Sequence, residues 1–124
     1  MIAGIGIDLI EVQRVQEKIE KENGFREMIF SKQEIMYCEA NKNKYEHYAA
    51  RFAAKEAFFK ALGTGWESGT HFHEIEILHD PTGKPGINLS GETQKTLSFL
   101  ETGKISVSLS HIKTVASAIV IIEK

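Results

Sequence analysis

The first residues of the chain alternate between apolar side chains and glycine. Ile5 and Ile7 flank Gly6, and the run ends in a carboxylate, Asp8. This alternation predicts a short buried strand over Ile2–Asp8, and a glycine within a strand lets another backbone approach closely. We therefore expect the strand to pack tightly against a neighbouring element.

Helical periodicity dominates the next fifty residues. Ser31 and Glu34 have the spacing of a capping box, in which a hydroxyl and a carboxylate satisfy the free amides at a helix start. The polar run Asn41–Lys44 is typical of a loop. The pattern predicts three helices: one that begins near Val12 and stops at Asn23-Gly24, one from Ser31 to about Ala40, and one over His47–Leu62 closed by Gly63.

The second half of the chain carries mainly strand signals. Thr64 to Thr70 predicts a flexible glycine-rich connector, and Asp80–Gly86 predicts a turn. Further elements are predicted around Phe72, Ile75 and Ile77 (a strand), over Ile87–Leu89 (a strand), Glu92–Glu101 (a helix), and Lys104–Leu109 and Val115–Ile122 (two strands). About five strands without a regular βαβ repeat indicate an α+β fold, in one domain spanning residues 1–124.

Composition and charge exclude several classes of protein. The 124 residues are 42% hydrophobic and 26% charged, which is typical of one globular domain. No apolar run approaches the roughly 18 residues that cross a bilayer, and the N-terminus has no secretory pattern. A net charge of -2 argues against sequence-independent nucleic-acid binding. Cys38 is the single cysteine, so we expect a cytoplasmic protein without an internal disulfide.

Asp8 is the first candidate for chemistry. Gly4 and Gly6 start a pattern like a dinucleotide fingerprint, but its third glycine would fall at Leu9, so we interpret both glycines as packing residues. Asp8 lies where the predicted strand gives way to a polar segment. It either caps the following helix or faces a cleft as a metal ligand, and one carboxylate can do both.

The predicted long helix holds the second candidate, the pair Glu56 and Lys60. Four residues apart, they share a face with Phe52 on a helix that we expect to be mostly buried. A carboxylate buried there needs a cation, and Arg51 and Lys60 are expected to reach anionic groups along that face. Oxygen ligands beside cations suit magnesium and a phosphate ester, with phosphate oxygens and water completing the shell of Asp8 and Glu56.

Other reactive side chains offer weaker alternatives. A zinc site at His71 and His73 would need a third ligand, and neither a cysteine partner nor a helical histidine pair supports it. Ser110 and His111 cannot act together in an extended chain, because neighbours on a strand point to opposite faces. Cys38 has no obvious base beside it, so we interpret it as a structural thiol.

Several segments together resemble one family. They are Gly4–Glu11, Arg14, Arg51–Gly65, Gly83–Pro85 and Ser108–His111. In this order they resemble the small bacterial type of 4′-phosphopantetheinyl transferase, the holo-[acyl-carrier-protein] synthases, over nearly the whole chain. The long central segment is the most specific of these motifs.

The resemblance implies both a fold and a reaction. The fold is α+β, with an antiparallel-rich sheet against a long central helix, in a homotrimer with active sites between subunits. The reaction is magnesium-dependent transfer of 4′-phosphopantetheine from coenzyme A to a serine of apo acyl carrier protein. It leaves adenosine 3′,5′-bisphosphate and supports fatty acid biosynthesis. Fatty-acid, polyketide and peptide-synthetase carriers all stay open as acceptors, as does manganese in place of magnesium. Neither nucleic acid nor a membrane is an expected partner.

The resemblance also implies roles for individual residues. Asp8 and Glu56 correspond to the magnesium ligands, and Lys60 to the residue that neutralises the phosphates; these three are the expected catalytic residues. The expected coenzyme A contacts are Arg14 from the adjacent subunit, Arg51, Lys60, Gly63, Lys84, Pro85 and His111. The base that accepts the serine proton is left open between Glu56 and a water held by Asp8 or Glu56.

One position departs from the family pattern. Family members often have an arginine soon after the equivalent of Phe25, where this chain has Met28 and carries Arg26 two residues earlier. Arg14 and Arg26 predict a basic strip that would steer an acidic carrier protein. Two other functions stay open: a trimeric protein that binds coenzyme A without catalysis, and a metal-dependent phosphohydrolase.

Overall fold

The computed structural model describes residues 1–63 and 71–124, so the predicted connector at 64–70 lies outside the described residues. The described elements are β1 (Ile2–Glu11), α1 (Val12–Glu20), α2 (Phe25–Ile29), α3 (Lys32–Glu39), α4 (Lys44–Leu62), β2 (Ile75–His79), β3 (Pro85–Leu89), α5 (Gly91–Phe99), β4 (Ile105–His111) and β5 (Val115–Glu123). None of the helices in these two ranges has both the length and the hydropathy needed to cross a bilayer.

The long helix α4 packs across a three-stranded sheet. The sheet is antiparallel in the order β1-β5-β4, and α4 lies against all three of its strands. Gly4 and Gly6 of β1 touch the backbone of α4, where an added Cβ would overlap the carbonyl oxygens of Ala61 and Ala57. The interpretation of these glycines as packing residues is confirmed.

A second, two-stranded sheet is tied to α4 by a buried ion pair. β2 and β3 form an antiparallel hairpin. Lys55 of α4 and Glu34 of α3 are fully buried, with Lys55 Nζ 2.8 Å from Glu34 Oε1. Lys55 also donates to the carbonyl oxygens of Phe72 and Ile75, and Glu34 accepts from the backbone N–H of Ile77. The pair therefore connects α4, α3 and β2.

The α+β fold predicted from the sequence is confirmed, with differences at the element ends. β1 runs past Asp8 to Glu11 because its pairing with β5 continues to the Glu11–Val115 register. α4 begins already at Lys44, so the predicted polar loop is shorter than expected. Phe72 lies in a 3₁₀ turn over Phe72–Glu74 and not in the following strand, because its carbonyl is turned inward to accept from Lys55.

The short helix α2 is the one described helix that periodicity missed. It has five residues, too few to show a repeat, and its N-cap is Gly24, whose φ of 89° places the chain in the left-handed region. The capping box at Ser31 and Glu34 is confirmed, because each side chain accepts from the other residue's backbone N–H. Glu34 therefore serves the cap and the buried ion pair together.

Candidate active site

The three predicted catalytic residues meet where β1 crosses the C-terminal half of α4. Lys60 Nζ lies 3.0 Å from Asp8 Oδ1 and 3.0 Å from the carbonyl oxygen of Ile7. Glu56 precedes Lys60 by about one helical turn. Lys60 pairs with Asp8 and not with Glu56, whose carboxylate has no hydrogen bond or ion pair in the described part of the chain. The interpretation of Asp8 as a helix cap is wrong, because the N-cap of α1 is Glu11.

The electrostatics of this group centre on the Glu56 carboxylate. Burial is the main cause that raises the pKa of Glu56, and the nearby charge of Asp8 raises it further. Lys60 and Lys18 act in the opposite direction but do not cancel these effects. The charges of Asp8 and Glu56 repel each other, and among the described residues only Asp8 has a cation partner, so a further cation is stabilised here.

The donor set fits a hard divalent cation that keeps open positions. Within residues 1–63 and 71–124 no cluster of three or more His, Cys, Asp or Glu side chains forms a metal cage. Asp8 and Glu56 would thus be the protein ligands, and phosphate oxygens and water would supply the others. Magnesium is usually bound through one or two carboxylates plus substrate phosphates.

A second group of predicted residues lines a small cavity at the other end of α4. The cavity has a volume of about 160 Å³ and is lined by His47, Ala50, Arg51, His79, Gly83, Pro85, Leu109 and His111. The predicted coenzyme A contacts Arg51, Pro85 and His111 are therefore neighbours in the fold, although 60 residues separate the first from the last. Lys84 lies in the turn before Pro85, where its backbone N–H bonds Asp80.

Arg51 is a buried cation that has no carboxylate partner among the described residues. Its side chain is 1% exposed, and its guanidinium lies 4.2 Å from the centre of the Tyr37 ring and contacts His79. No ion pair joins it to an acidic residue within the described ranges, and its Nε has no hydrogen-bond partner there. Buried guanidinium groups need a counter-charge, so the cavity is suited to an anion.

The two groups lie on opposite sides of α4 within one chain. Arg51 and Lys60 are nine residues apart, which is about two and a half helical turns and therefore about half a turn in direction. Lys60 faces β1, whereas Arg51 faces His79 of β2. The expectation that both cations reach anions along one face of the helix is therefore wrong.

Two further predicted contacts lie at element ends. Gly63 ends α4 with a φ of 78°, a backbone conformation that favours glycine. Arg14 is exposed on α1 and lines a surface cleft with Leu9, Ile10, Glu11 and Val115. Neither residue touches the cavity around Arg51, and both lie near the ends of elements that flank Asp8.

The expected basic strip is largely neutralised by acidic neighbours. Arg26 pairs with Glu27 at 2.7 Å and with Glu39 at 3.3 Å. Arg14 lies 3.5 Å from Glu11. An acidic protein that bound here would have to exchange partners with these carboxylates, so Arg14 and Arg26 do not form a strip of unpaired positive charge.

Three residues were not assigned to this site from the sequence. The charge of Lys18 lowers the pKa of Glu56. His47 and His79 line the cavity around Arg51. Helical spacing places Lys18 on α1, but the packing of α1 against α4 decides what its ammonium group reaches. His79 comes near Arg51 only because the hairpin folds over α3 and α4, a contact between residues 28 positions apart.

Comparison with known proteins is consistent with this geometry. A family model described as the 4′-phosphopantetheinyl transferase superfamily matches residues 4–119. The chain is 44% identical over 128 residues to a holo-[acyl-carrier-protein] synthase of Cytophaga hutchinsonii, which covers 100% of this chain and 99% of the relative. It is 50% identical over 122 residues to one of Ruminiclostridium cellulolyticum, with 95% and 90% covered.

Solved structures give the same result at the level of the fold. A holo-[acyl-carrier-protein] synthase from Neisseria meningitidis has a TM-score of 0.92 at 34% identity, and all of both chains is covered. A synthase from Bacillus anthracis, described as a complex with CoA (3′,5′-ADP), has a TM-score of 0.83 at 37% identity and covers 100% of this chain and 98% of that one.

Proposed function

The chain belongs to the 4′-phosphopantetheinyl transferase superfamily and transfers 4′-phosphopantetheine from coenzyme A to a serine of an apo acyl carrier protein, and we propose that Asp8, Glu56 and Lys60 carry this reaction. The observation that supports their role is the meeting of two carboxylates and one ammonium group on the inner face of β1. If Glu56 and Lys60 were only an ion pair on the surface of α4, no charged group from a distant strand would be expected beside them, whereas Asp8 of β1 lies there.

The chemistry is an in-line displacement at phosphorus. The serine oxygen forms a bond to the β-phosphorus, the phosphorus that carries pantetheine. The bond from that phosphorus to the bridging oxygen breaks, and adenosine 3′,5′-bisphosphate leaves with that oxygen. Lys60 neutralises charge on the phosphate oxygens, and the serine proton passes to Glu56 or to a water that Asp8 or Glu56 holds.

We propose that the reaction depends on magnesium held by Asp8 and Glu56. When bound, the ion supplies positive charge to the phosphate oxygens during displacement. The raised pKa of Glu56 supports this role, since a cation there would relieve the repulsion from Asp8. Manganese has similar ligand preferences and is the nearest alternative.

Product analysis distinguishes the transferase from the other two functions. The chain is incubated with coenzyme A and magnesium, with and without an apo carrier protein. Transfer predicts adenosine 3′,5′-bisphosphate only when the carrier is present. A phosphohydrolase would release phosphate without a carrier, and a binding protein would leave coenzyme A intact in both mixtures.

We propose that the active protein is a homotrimer in which neighbouring subunits complete each site. The sheet covers α4 with one face and leaves the other uncovered, where Ile5, Ile7, Leu9 and Ile119 are 36% to 70% exposed. Contiguous exposed apolar patches usually mark an interface. The separation of Lys60 and Arg51 on opposite sides of α4 supports a substrate that is held by groups from two copies.

A lysine in place of Ile5 tests the trimer. Its charge would be buried at the interface without a partner, so we expect Ile5→Lys to elute as a monomer and to lose most of its transferase activity. Light scattering on a sizing column measures the mass, which for the unchanged protein should be three times 13.9 kDa. Met36→Lys, at a side chain 72% exposed on α3, is the matched control and should stay trimeric. A trimeric Ile5→Lys would refute this interface.

We place the reaction in the cytoplasm. Cys38 is a free buried thiol, and burial raises its pKa to about 12, so it stays protonated and unreactive at neutral pH. This agrees with its interpretation as a structural thiol and with a reducing compartment.

A further inference from the structure

Three histidines surround the buried guanidinium of Arg51. His79 Nδ1 lies 3.1 Å from Arg51 Nη2, and the rings of His47 and His111 meet edge to face with centres 5.1 Å apart. Tyr37 stacks on His79 at 5.2 Å and lies edge-on to His47. These groups come from α3, α4, β2 and β4, so four elements that are distant in sequence contribute to the cluster.

The contact with Arg51 defines the protonation state of His79. A guanidinium has only donors, so the Nδ1 atom of His79 must accept and carries no proton. His79 is therefore neutral in this arrangement, with its proton on Nε2. A protonated His79 would lose the contact and stand as a second cation beside Arg51, unless an anion came between them.

The carboxylates around the cavity do not supply that anion. Glu46 of α4 is engaged with His111, whose Nδ1 lies 2.9 Å from Glu46 Oε1. Asp80, after β2, accepts from the hydroxyl and backbone of Thr82 and from the backbone of Lys84. Glu46 and Asp80 are the two carboxylates that act on these histidines, so within residues 1–63 and 71–124 the positive side of the cavity lacks a free counterion.

We propose that His79 and His47 are substrate-binding residues that take up a proton when a phosphate group of coenzyme A enters the cavity beside Arg51. This inference rests on the proposed function for the identity of the ligand. The phosphate replaces the Arg51–His79 hydrogen bond with bonds from both side chains, and the proton comes from solvent. Binding of the substrate is then linked to pH through residues that do not take part in the displacement at phosphorus.

The charge distribution of the cavity supports this linkage. Burial is the largest cause that lowers the pKa of His47 and of His79, and Arg51 lowers both further. His111 also lowers the pKa of His47, whereas Glu46 raises it. Asp80 raises the pKa of His79. Both histidines are therefore neutral near neutral pH in the free protein. An entering anion stabilises their charged forms, so the bound state holds more protons and affinity rises as pH falls.

Calorimetry of coenzyme A binding in the unchanged trimer measures the linkage directly. Titrations at about pH 7 in two buffers of different ionisation enthalpy give the number of protons taken up. We expect uptake of roughly half to one proton and, because this uptake acts over two pH units, an affinity about ten- to a hundredfold higher near pH 6 than near pH 8. The same titration is repeated with dephospho-coenzyme A, which lacks the phosphomonoester. If proton uptake is lost with this ligand, the cavity binds the phosphomonoester. If uptake equals that with coenzyme A, the cavity binds the pyrophosphate.

Two single variants, their double variant and one control make the test specific. His79→Asn keeps an acceptor near the Nδ1 position but cannot be protonated, and His47→Gln likewise removes a titrating ring. The double variant should bind coenzyme A without proton uptake, and its melting temperature checks the fold. His73→Gln, at an exposed histidine away from the cavity, is the matched control and should behave like the unchanged protein.

The outcomes separate this inference from the proposed function. Coenzyme A binding without proton uptake in the unchanged protein, or with equal uptake in the double variant, would overturn the role of the histidines and leave the transferase intact. No binding at any pH would instead remove the proposed function. Uptake that disappears only in the histidine variants is the predicted result.

Discussion

Glu56→Gln is expected to lower the transferase turnover by at least about 100-fold while the protein stays folded. The amide keeps the size and position of the side chain but removes the charge that faces Asp8 and that would hold the cation. The rate is measured as holo carrier formed per minute at saturating coenzyme A and magnesium. Glu92→Gln, at a carboxylate 70% exposed on α5, should retain the full rate.

The stability of Glu56→Gln should be unchanged or slightly higher. A carboxyl whose pKa is raised in the folded protein destabilises the fold at every pH above its unfolded pKa, because folding disfavours the ionised form. Gln removes that penalty, so the melting temperature near neutral pH should not fall. A variant that kept its rate would contradict the role of Glu56, and one that unfolded would show a structural role in its place.

Lys55→Met is expected to lower the free energy of unfolding by about 3–5 kcal/mol, because it breaks a buried ion pair by removing one partner. The change leaves the Glu34 carboxylate fully buried without its cation, and it also removes the donor to two backbone carbonyls. Burial lowers the pKa of Lys55 more than Glu34 raises it, so the pair already carries a desolvation cost. Urea unfolding at a fixed protein concentration measures the loss.

Lys60→Met on the same helix is the matched control. Lys60 has a side chain 55% exposed, and its pair with Asp8 should contribute less than about 1 kcal/mol to stability. The double variant Lys55→Met/Glu34→Gln should recover a large part of the stability, because neither remaining group is a buried charge. If Lys55→Met unfolded at the same urea concentration as the unchanged protein, the buried pair would not be what joins α4 to β2.

Local patterns were sufficient to predict most of the fold and the carboxylate site. The glycines of β1 predicted a close approach to a neighbouring element, and the approach to α4 is what puts Asp8 beside Lys60. The half-turn offset between Arg51 and Lys60 could also have been predicted, because it follows from helix geometry alone. The sequence did not show which strand or hairpin would pack against each side of α4.

Long-range contacts account for what the sequence did not reveal. In the sequence, nothing distinguishes Lys55 from other lysines of an alanine-rich helix. Only the fold packs Glu34, 21 residues earlier, against it. His79 looks like a surface residue until the hairpin brings it to Arg51. The pairing of Arg26 with Glu39 likewise joins α2 and α3, so the basic strip expected from the charges of Arg14 and Arg26 is not free. Each case depends on partners that no local pattern encodes.

The intact mass of an apo acyl carrier protein, after incubation with this chain, coenzyme A and magnesium, tests the central claim most directly. We predict the gain of one phosphopantetheinyl group on the carrier serine, lost when the metal is chelated with EDTA and when Glu56 is replaced by Gln. An unchanged mass with several carrier proteins, while coenzyme A still binds, would contradict transfer and favour a binding protein.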